Sequence, residues 1–204
     1  MPAQKQTSQP TSFIIDPVRD GASSLLKALT GSVALAGTAP EKFRLSEDDI
    51  VVVADLQYAT VDISVNIPLT TGQTPTDLVN DISFGLKNAS MPALGKIDVF
   101  LDQSGDSITF RTYDDFGTAQ STTLTYDDDW NGAQVIFRFG WAPSHVSLAT
   151  CIVGTDTEFT VLANHTTSVP TRALNIFATV VGAENLDVDF FSVKQAEHSL
   201  ILIL

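Results

Sequence analysis

The chain has few of the residues that support disulfide or metal chemistry. Its 204 residues include one cysteine, Cys151, which lies in the apolar run SLATCIVG and is expected to be a buried small side chain. The three histidines, His145, His165 and His198, have no cysteine or glutamate at metal-binding spacing. We therefore expect neither a disulfide framework within the chain nor a histidine-based metal centre.

Basic residues are also scarce. Lys and Arg number 11 against 24 Asp and Glu, so the formal net charge is −13. Residues 1–44 carry five basic and three acidic residues, whereas the body, residues 45–204, carries six basic and twenty-one acidic residues, a net charge of −15. An acidic body does not neutralise phosphates, so we expect no nucleic-acid binding and no attraction to anionic membranes. A cation, a basic partner or a neutral glycan is compatible with this charge.

Long apolar runs and catalytic motifs are absent as well. No segment reaches the roughly 18 apolar residues that a membrane span requires, and the start, MPAQKQTSQPTS, has no apolar core of a signal peptide. We therefore expect a protein of the cytoplasm or of a virion, without membrane insertion. Gly-x-Ser-x-Gly, phosphate-binding and nucleotide-binding motifs are not found, which predicts a non-enzyme.

Short segments rich in Val, Ile, Phe and Thr are abundant. Eleven predicted strands lie at residues 49–56, 59–67, 81–88, 95–101, 106–113, 120–126, 133–141, 144–153, 158–164, 173–182 and 187–194. Turn sequences such as DQSGDS, DDDWNG and GTDT separate them, and no helical period interrupts the series. The pattern predicts an all-β antiparallel sandwich or barrel over residues 45–204.

The first 44 residues differ in composition from this body. Residues 1 to about 12 are polar and predict a flexible arm, and the remainder is expected to be a docking segment. Residues 24–37 (SLLKALTGSVALAG) are mildly apolar, and we expect at most one short helix there.

Three segments together resemble a known fold family. They are the hairpin series GKIDVFLDQSGDSITFRTYDDFG, the acidic turn and tryptophan of DDDWNGAQVIFRFGW, and the closing segment with Leu186, Asp187, Asp189, Phe190 and Val193. Their order resembles the concanavalin A-like or laminin-G-like jelly roll over about residues 45–195. The resemblance implies an antiparallel jelly-roll β-sandwich in which the closing segment is a structural strand.

Asp187 and Asp189 form a pair of carboxylates on this closing strand. Carboxylates at this spacing fall in the range of roughly 5 to 9.5 Å that glycosidases use. The glucanases that resemble this fold carry a Glu-x-Asp-x-x-Glu signature on one strand, and the segment from Glu184 to Asp189 does not match it. We therefore expect no catalytic residues here and a solvated strand face.

The turn TYDDDWN offers oxygen ligands. Asp127, Asp129 and Asn131 supply two carboxylates and an amide oxygen, which are ligand types that calcium prefers. Legume-type lectins, which the fold resembles, use an Asp, an aromatic residue and an Asn in a related loop. Calcium is therefore the alternative to the expectation of no cofactor. The structural alternative is an acidic turn whose aspartates accept hydrogen bonds from their own backbone.

Trp130, Trp141 and Tyr126 are candidate carbohydrate-binding residues. An exposed aromatic ring can stack on the apolar face of a sugar. Aromatic residues also fill the core of a sandwich, so the sequence leaves both alternatives open.

The C-terminal segment EHSLILIL is unusual for a chain end. It closes on five apolar residues, Leu200, Ile201, Leu202, Ile203 and Leu204. An apolar segment with β propensity is expected to be covered, either by its own sheet or by strand addition to another subunit. These residues are therefore the candidate assembly segment.

Two functional hypotheses follow from the sequence. The first is a non-enzymatic structural protein, a capsid, crown or decoration subunit of the outer layer of a virion, which forms homo-oligomers or binds another structural protein. The second is a carbohydrate-binding, lectin-like module that binds glycans, with calcium as its candidate cofactor.

Overall fold

The computed structural model describes residues 12–15, 26–28, 32–36, 42–105 and 107–195. These residues form thirteen strands: β1 Ser12–Ile15, β2 Leu26–Ala28, β3 Ser32–Ala36, β4 Lys42–Leu56, β5 Ala59–Asn66, β6 Ile82–Lys87, β7 Lys96–Leu101, β8 Ser107–Tyr113, β9 Ala119–Thr125, β10 Gln134–Ala142, β11 His145–Ile152, β12 Thr160–His165 and β13 Leu174–Gln195. The helical residues in this part of the chain are two single 3-10 turns, Pro75–Asp77 and Asp128–Trp130. None of its helices could span a bilayer. The all-β prediction is confirmed, and the predicted strands correspond to β4 through β13.

The strands pair antiparallel in two sheets. One sheet, called here the β8 sheet, has the order β9-β8-β7-β6, and the other, called the β10 sheet, has the order β12-β11-β10-β5. Most of these strands are neighbours in both sequence and space, as expected when short turns connect hairpins. The result is the sandwich that the pattern of short strands predicts.

The 22-residue strand β13 connects the two sheets. Its residues Asn175 to Val180 pair with β6, and its residues Asp187 to Gln195 pair with β5. β4 runs antiparallel to β13 along both parts. The two strands predicted at 173–182 and 187–194 are therefore one strand, which passes from one sheet to the other.

The core lies between the inward faces of the two sheets. In β10, Val135, Phe137, Phe139 and Trp141 are buried, and the residues between them are partly exposed. The rings of Phe84 in β6 and Phe137 meet edge to face with centroids 4.9 Å apart, so the two sheets are in direct contact. Because side chains alternate along a strand, this contact also identifies which residues of each sheet face outward.

Residues 24–37, for which the sequence allows at most one short helix, contain strands in their described part. The described part of this segment forms β2 and β3, and both pair with β4. The Thr30-Gly31 dipeptide is unfavourable within a helix, and pairing with β4 satisfies the backbone hydrogen bonds instead. β1 likewise pairs with β13. The division of the chain at residue 44 stays a prediction.

The alternation of the closing segment is interrupted. The register between β13 and β5 shifts between Val188 and Phe190. As a result Phe191 is buried, with 1% of its surface exposed, whereas Phe190 is only partly buried. A bulge of this kind adds one residue to a strand and changes which face the following side chains take.

Candidate functional site

The outward face of the β8 sheet gathers basic residues, which are scarce in the body of this chain. The strand register places Gly85, Asp98 and Arg111 in one row across β6, β7 and β8, and it places Lys87 beside Lys96 in the next row. Asp98 is the only acidic residue in strands β6 to β9, whereas these strands contain three of the six basic residues of the body. The face is therefore cationic within an acidic protein.

Lys96, Asp98 and Arg111 form a group joined by ion pairs, called here the Asp98 cluster. Arg111 donates from Nε to Asp98 Oδ1 over 3.1 Å and from Nη2 to Asp98 Oδ2. Lys96 Nζ lies 2.8 Å from Asp98 Oδ2, and Ser83 Oγ donates to the same oxygen over 2.7 Å. The Asp98 side chain has no exposed surface, whereas those of Lys96 and Arg111 are 20% and 19% exposed. The carboxylate thus lies beneath the two cations.

Aromatic rings lie beside both cations. The guanidinium carbon of Arg111 is 4.1 Å from the centre of the Phe100 ring. Lys96 Nζ is 5.2 Å from the centre of the Phe177 ring and 6.0 Å from that of Tyr113. Phe177 is buried, whereas Phe100 and Tyr113 are partly exposed. The rings attract the cations through their negative faces and provide apolar surface beside them.

Gly85 permits this arrangement. Its φ is +149°, a backbone conformation that other residues rarely adopt. A Cβ atom there would lie 2.2 Å from the backbone oxygen of Ile97 and 2.9 Å from Cα of Asp98. Any side chain at this position would therefore push β6 away from β7 beside the Asp98 carboxylate.

The electrostatics of the cluster follow from its burial. Burial acts to lower the pKa of Arg111, but the hydrogen bond and the charge of Asp98 outweigh it, and the pKa is raised. Counted by residue type, two basic side chains and one acidic side chain give the cluster a formal net charge of +1. Chemically, the cluster can donate hydrogen bonds and attract negative charge. It contains one carboxyl group, whereas acid–base hydrolysis of a glycoside uses two.

The outward face of the β10 sheet has a related pair. Arg138 donates from Nε and Nη2 to the two carboxylate oxygens of Asp62, over 2.8 Å each. Its guanidinium carbon lies 3.6 Å from the centre of the Phe159 ring. This pair is more exposed than the Asp98 cluster, since 39% of Arg138 and 16% of Asp62 remain accessible. No second cation is recorded on Asp62 within the described residues.

Comparison with known proteins identifies the architecture. No protein-family model matches the chain, and no curated protein matches it. Among solved structures, the Bacillus licheniformis β-glucanase is similar with a TM-score of 0.65 and 12% identity, over 94% of this chain and 100% of that chain. Peanut lectin is similar with a TM-score of 0.59 and 11% identity, over 93% of this chain and 98% of that chain. The VIP36 exoplasmic/lumenal domain, in its Ca2+-bound form, is similar with a TM-score of 0.61 and 14% identity, over 91% of this chain and 90% of that chain.

The chain has the concanavalin A-like jelly-roll fold. The resemblance read from the hairpin series and the closing strand is confirmed. Identities of 11 to 14% show the fold alone. An enzyme and lectins share this fold, so the side chains on its faces must distinguish between the two classes of function.

The predicted sugar-stacking residues lie in the core of the jelly roll. Trp130 is 3% exposed and meets Tyr126 and Phe137 edge to face, with centroids 5.4 Å away in both cases. Trp141 is also 3% exposed, and its Nε1 donates to the backbone oxygen of Pro170 over 2.9 Å. Burial, and then the charges of nearby aspartates, raise the pKa of Tyr126. These rings present little surface to a sugar, and their role in binding stays a prediction.

The acidic turn uses its oxygens internally. Asp127 Oδ1 accepts a hydrogen bond from the backbone nitrogen of Asp129, and Asn131 Oδ1 accepts one from the Tyr126 hydroxyl over 2.8 Å. Asn131 Nδ2 donates to the backbone oxygen of Gln73. Across the described residues, no group of three or more His, Cys, Asp or Glu is placed to hold a metal ion. Asp127 Oδ1 and Asn131 Oδ1 each accept a hydrogen bond within the turn, as in the structural alternative, and calcium at Asp127, Asp129 and Asn131 stays a prediction.

The closing-strand carboxylates have separate structural partners. Asp187 accepts two hydrogen bonds from Arg44, over 2.7 and 2.8 Å. Asp189 accepts from Asn66 Nδ2 over 2.6 Å and from Ser64 Oγ over 3.3 Å. The candidate assembly segment, residues 200–204, lies outside the described residues.

The Asp98 cluster is not predicted by the sequence pattern. Lys96 and Asp98 alternate with Ile97 and Val99, and this alternation indicates only a strand with one buried and one solvated face. One signal was available, since Asp98 is the only acidic residue of four strands and stands two positions from a lysine. Its partner Arg111 lies on the next strand, and only the register brings the two together.

Proposed function

We propose that this chain is a carbohydrate-binding, lectin-like protein without catalytic activity, and that a saccharide binds on the outward face of the β8 sheet. The observation that carries the proposal is the Asp98 cluster with its partly exposed rings. Binding sites for small molecules commonly combine a few fixed polar groups with aromatic surface. Here the buried carboxylate holds Lys96 and Arg111 in place, and Phe100 and Tyr113 lie beside them.

Two further observations support this function. Several solved structures with the same fold are described as lectins or lectin-like proteins, among them peanut lectin and arcelin-5 of Phaseolus vulgaris. In addition, the strands β6 to β9 supply a single carboxyl group, and that group is fully buried in ion pairs. A glycosidase of the ordinary two-carboxylate type requires a second carboxyl group within about 9.5 Å.

Calcium and assembly are not part of this proposal. The calcium hypothesis finds support in the Ca2+-bound state of VIP36, but the turn at Asp127, Asp129 and Asn131 has its own hydrogen bonds. The virion-subunit hypothesis depends on residues 200–204, which are outside the described residues. Both stay predictions of the sequence.

A binding experiment with a blocking substitution tests the proposal. Thr109 lies on the outward face of β8, opposite Phe100 in the neighbouring strand. Thr109→Trp is expected to abolish retention on an array of immobilised oligosaccharides and polysaccharides that retain the unmodified protein. Thr160→Trp, at an exposed position of β12, is the matched control and should leave retention unchanged.

Hydrolysis is measured on the same polysaccharides by the release of reducing ends. Retention without release is the expected result. Release of reducing ends that Thr109→Trp abolishes would instead identify an enzyme. If no saccharide is retained at all, the proposal is wrong.

A further inference from the structure

We infer that the outward face of the β8 sheet selects an acidic saccharide, whose carboxylate or sulfate group accepts hydrogen bonds from Lys96 and Arg111. This inference rests on the proposed function and adds the chemical class of the ligand. Two features of the Asp98 cluster carry it: the N–H groups that Asp98 already binds, and the N–H groups that remain for a ligand.

The negative charge of the cluster is not available to a ligand. The two oxygens of Asp98 accept hydrogen bonds from Ser83 and twice from Arg111, and Lys96 Nζ forms an ion pair with Oδ2 over 2.8 Å. Because the Asp98 side chain has no exposed surface, a ligand cannot reach its oxygens. A neutral sugar, whose hydroxyl groups donate as well as accept, finds no acceptor on Asp98.

The donors of the cations, in contrast, are only partly used. Arg111 has five N–H groups and directs two of them to Asp98, while Lys96 has three N–H groups and meets Asp98 in an ion pair. No buried side-chain nitrogen or oxygen in the described part of the chain lacks a hydrogen-bond partner. The Nη1 atom of Arg111, which has no partner recorded there, therefore reaches solvent. The accessible part of the cluster is thus a set of cationic donors.

The geometry also suits a group with two or three equivalent oxygens. Asp98 and the ring of Phe100 hold the Arg111 guanidinium on two sides, so its orientation is determined before a ligand binds. A planar guanidinium binds carboxylate and sulfate-like oxygens through parallel hydrogen bonds, and the adjacent ammonium of Lys96 adds a second charge. The partly exposed rings of Phe100 and Tyr113 border this position and can contact the apolar face of the sugar ring.

The charge of the whole body limits how many charges the ligand carries. Residues 45–204 have a net charge of −15, whereas the cluster has a net charge of +1. A densely charged polyanion would gain attraction at the cluster and meet repulsion over the rest of the surface. The favoured ligand is therefore a saccharide with isolated acidic groups. Uronic acids and sparsely sulfated sugars are the two sources of this chemistry.

The first test compares ligands on the unmodified protein. Isothermal titration calorimetry would measure the affinity of the protein for four ligands. They are a galacturonic acid oligosaccharide, a sparsely sulfated galactan oligosaccharide, a neutral β-glucan oligosaccharide and heparin. We expect at least one of the first two to bind about tenfold more tightly than the neutral oligosaccharide, because a hydrogen bond to a charged group contributes about 1.5 kcal/mol or more. Which of the two binds more tightly distinguishes carboxylate from sulfate.

The second test removes one cation. Lys96→Met leaves Asp98 paired with Arg111 and should weaken binding of the acidic oligosaccharide about tenfold without changing neutral binding. The matched control is Lys194→Met, an exposed lysine in the part of β13 that pairs with β5, and it should bind as the unmodified protein does. Equal loss of acidic and neutral binding would show a general defect and contradict the inference.

The possible failures are distinguishable. Equal affinity for neutral and acidic oligosaccharides, or tightest binding to heparin, overturns the inference and leaves the proposed function intact. If none of these saccharides binds and none is retained on the array, both are wrong. The ligand comparison needs no variant, so it decides the question even if Lys96→Met fails to fold.

Discussion

The outward faces of the two sheets carry the same three-residue arrangement in different surroundings. On each face an arginine makes two hydrogen bonds to an aspartate on the neighbouring strand and lies over a phenylalanine ring. On the β8 sheet the aspartate is fully buried and a lysine adds a second cation, whereas on the β10 sheet both partners are accessible to water. Burial of the aspartate and the presence of the second cation, rather than the arginine–aspartate pairing itself, distinguish the candidate binding site from an ordinary ion pair.

The largest expected effect comes from removing Asp98, and removal of Asp62 is its comparison. Asp98→Ala would leave two cations beside each other without their buried counter-charge, and we expect the free energy of unfolding to fall by about 3 kcal/mol or more. Asp62→Ala removes an accessible partner and should cost less than about 1 kcal/mol. Urea unfolding measures the free energy of unfolding of the two variants. Similar losses of free energy would show that burial does not distinguish the two arginine–aspartate pairs.

Two glycines provide a second, smaller contrast. At Gly85 a Cβ atom meets the backbone of β7, which cannot move aside without breaking the sheet, so Gly85→Ala should cost about 1 to 3 kcal/mol. At Gly140 of β10, the nearest atom to an added Cβ is Ser147 Oγ at 2.6 Å, and a side-chain hydroxyl can rotate away. Gly140→Ala should therefore lower the melting temperature less than Gly85→Ala does. A larger loss for Gly140→Ala would contradict the assigned role of Gly85.

The third contrast concerns the contact between the sheets and depends on pH. His165 of β12 is 1% exposed, and its two ring nitrogens lie 2.9 Å from the hydroxyls of Thr112 in β8 and Thr122 in β9. Burial lowers the pKa of His165. The unfolded chain binds the proton at its ordinary pKa, about 6.5, before the folded protein does. The stabilisation is therefore complete above about pH 6.5 and is lost as the pH falls towards the lower pKa of the folded state.

The slope of this loss is at most about 1.4 kcal/mol per pH unit. Urea unfolding between pH 7.5 and pH 5 should show it in the unmodified protein and show less of it in His165→Gln. His145→Gln changes an exposed histidine and is the control. A pH dependence that is the same in all three proteins would exclude His165 as its source.

Much of the fold could be predicted because it depends on local patterns. Alternation such as Ile97-Val99-Leu101 requires a strand with one buried face, and turn sequences mark where each strand ends. The site was less predictable. Trp130 and Trp141 were read as either core or sugar-binding residues, and only the packing of the two sheets places both in the core.

The all-β class, the approximate strand positions and the acidity of the body follow from residue types and their period along the chain, so they are predictable without coordinates. Tertiary structure alone decided that β13 is one strand shared by two sheets. It also decided that the partly exposed cations Lys96 and Arg111 share the buried carboxylate of Asp98. The physical reason is that hydrogen-bonded register and burial are relations between strands, and no single segment encodes the neighbour against which it will lie.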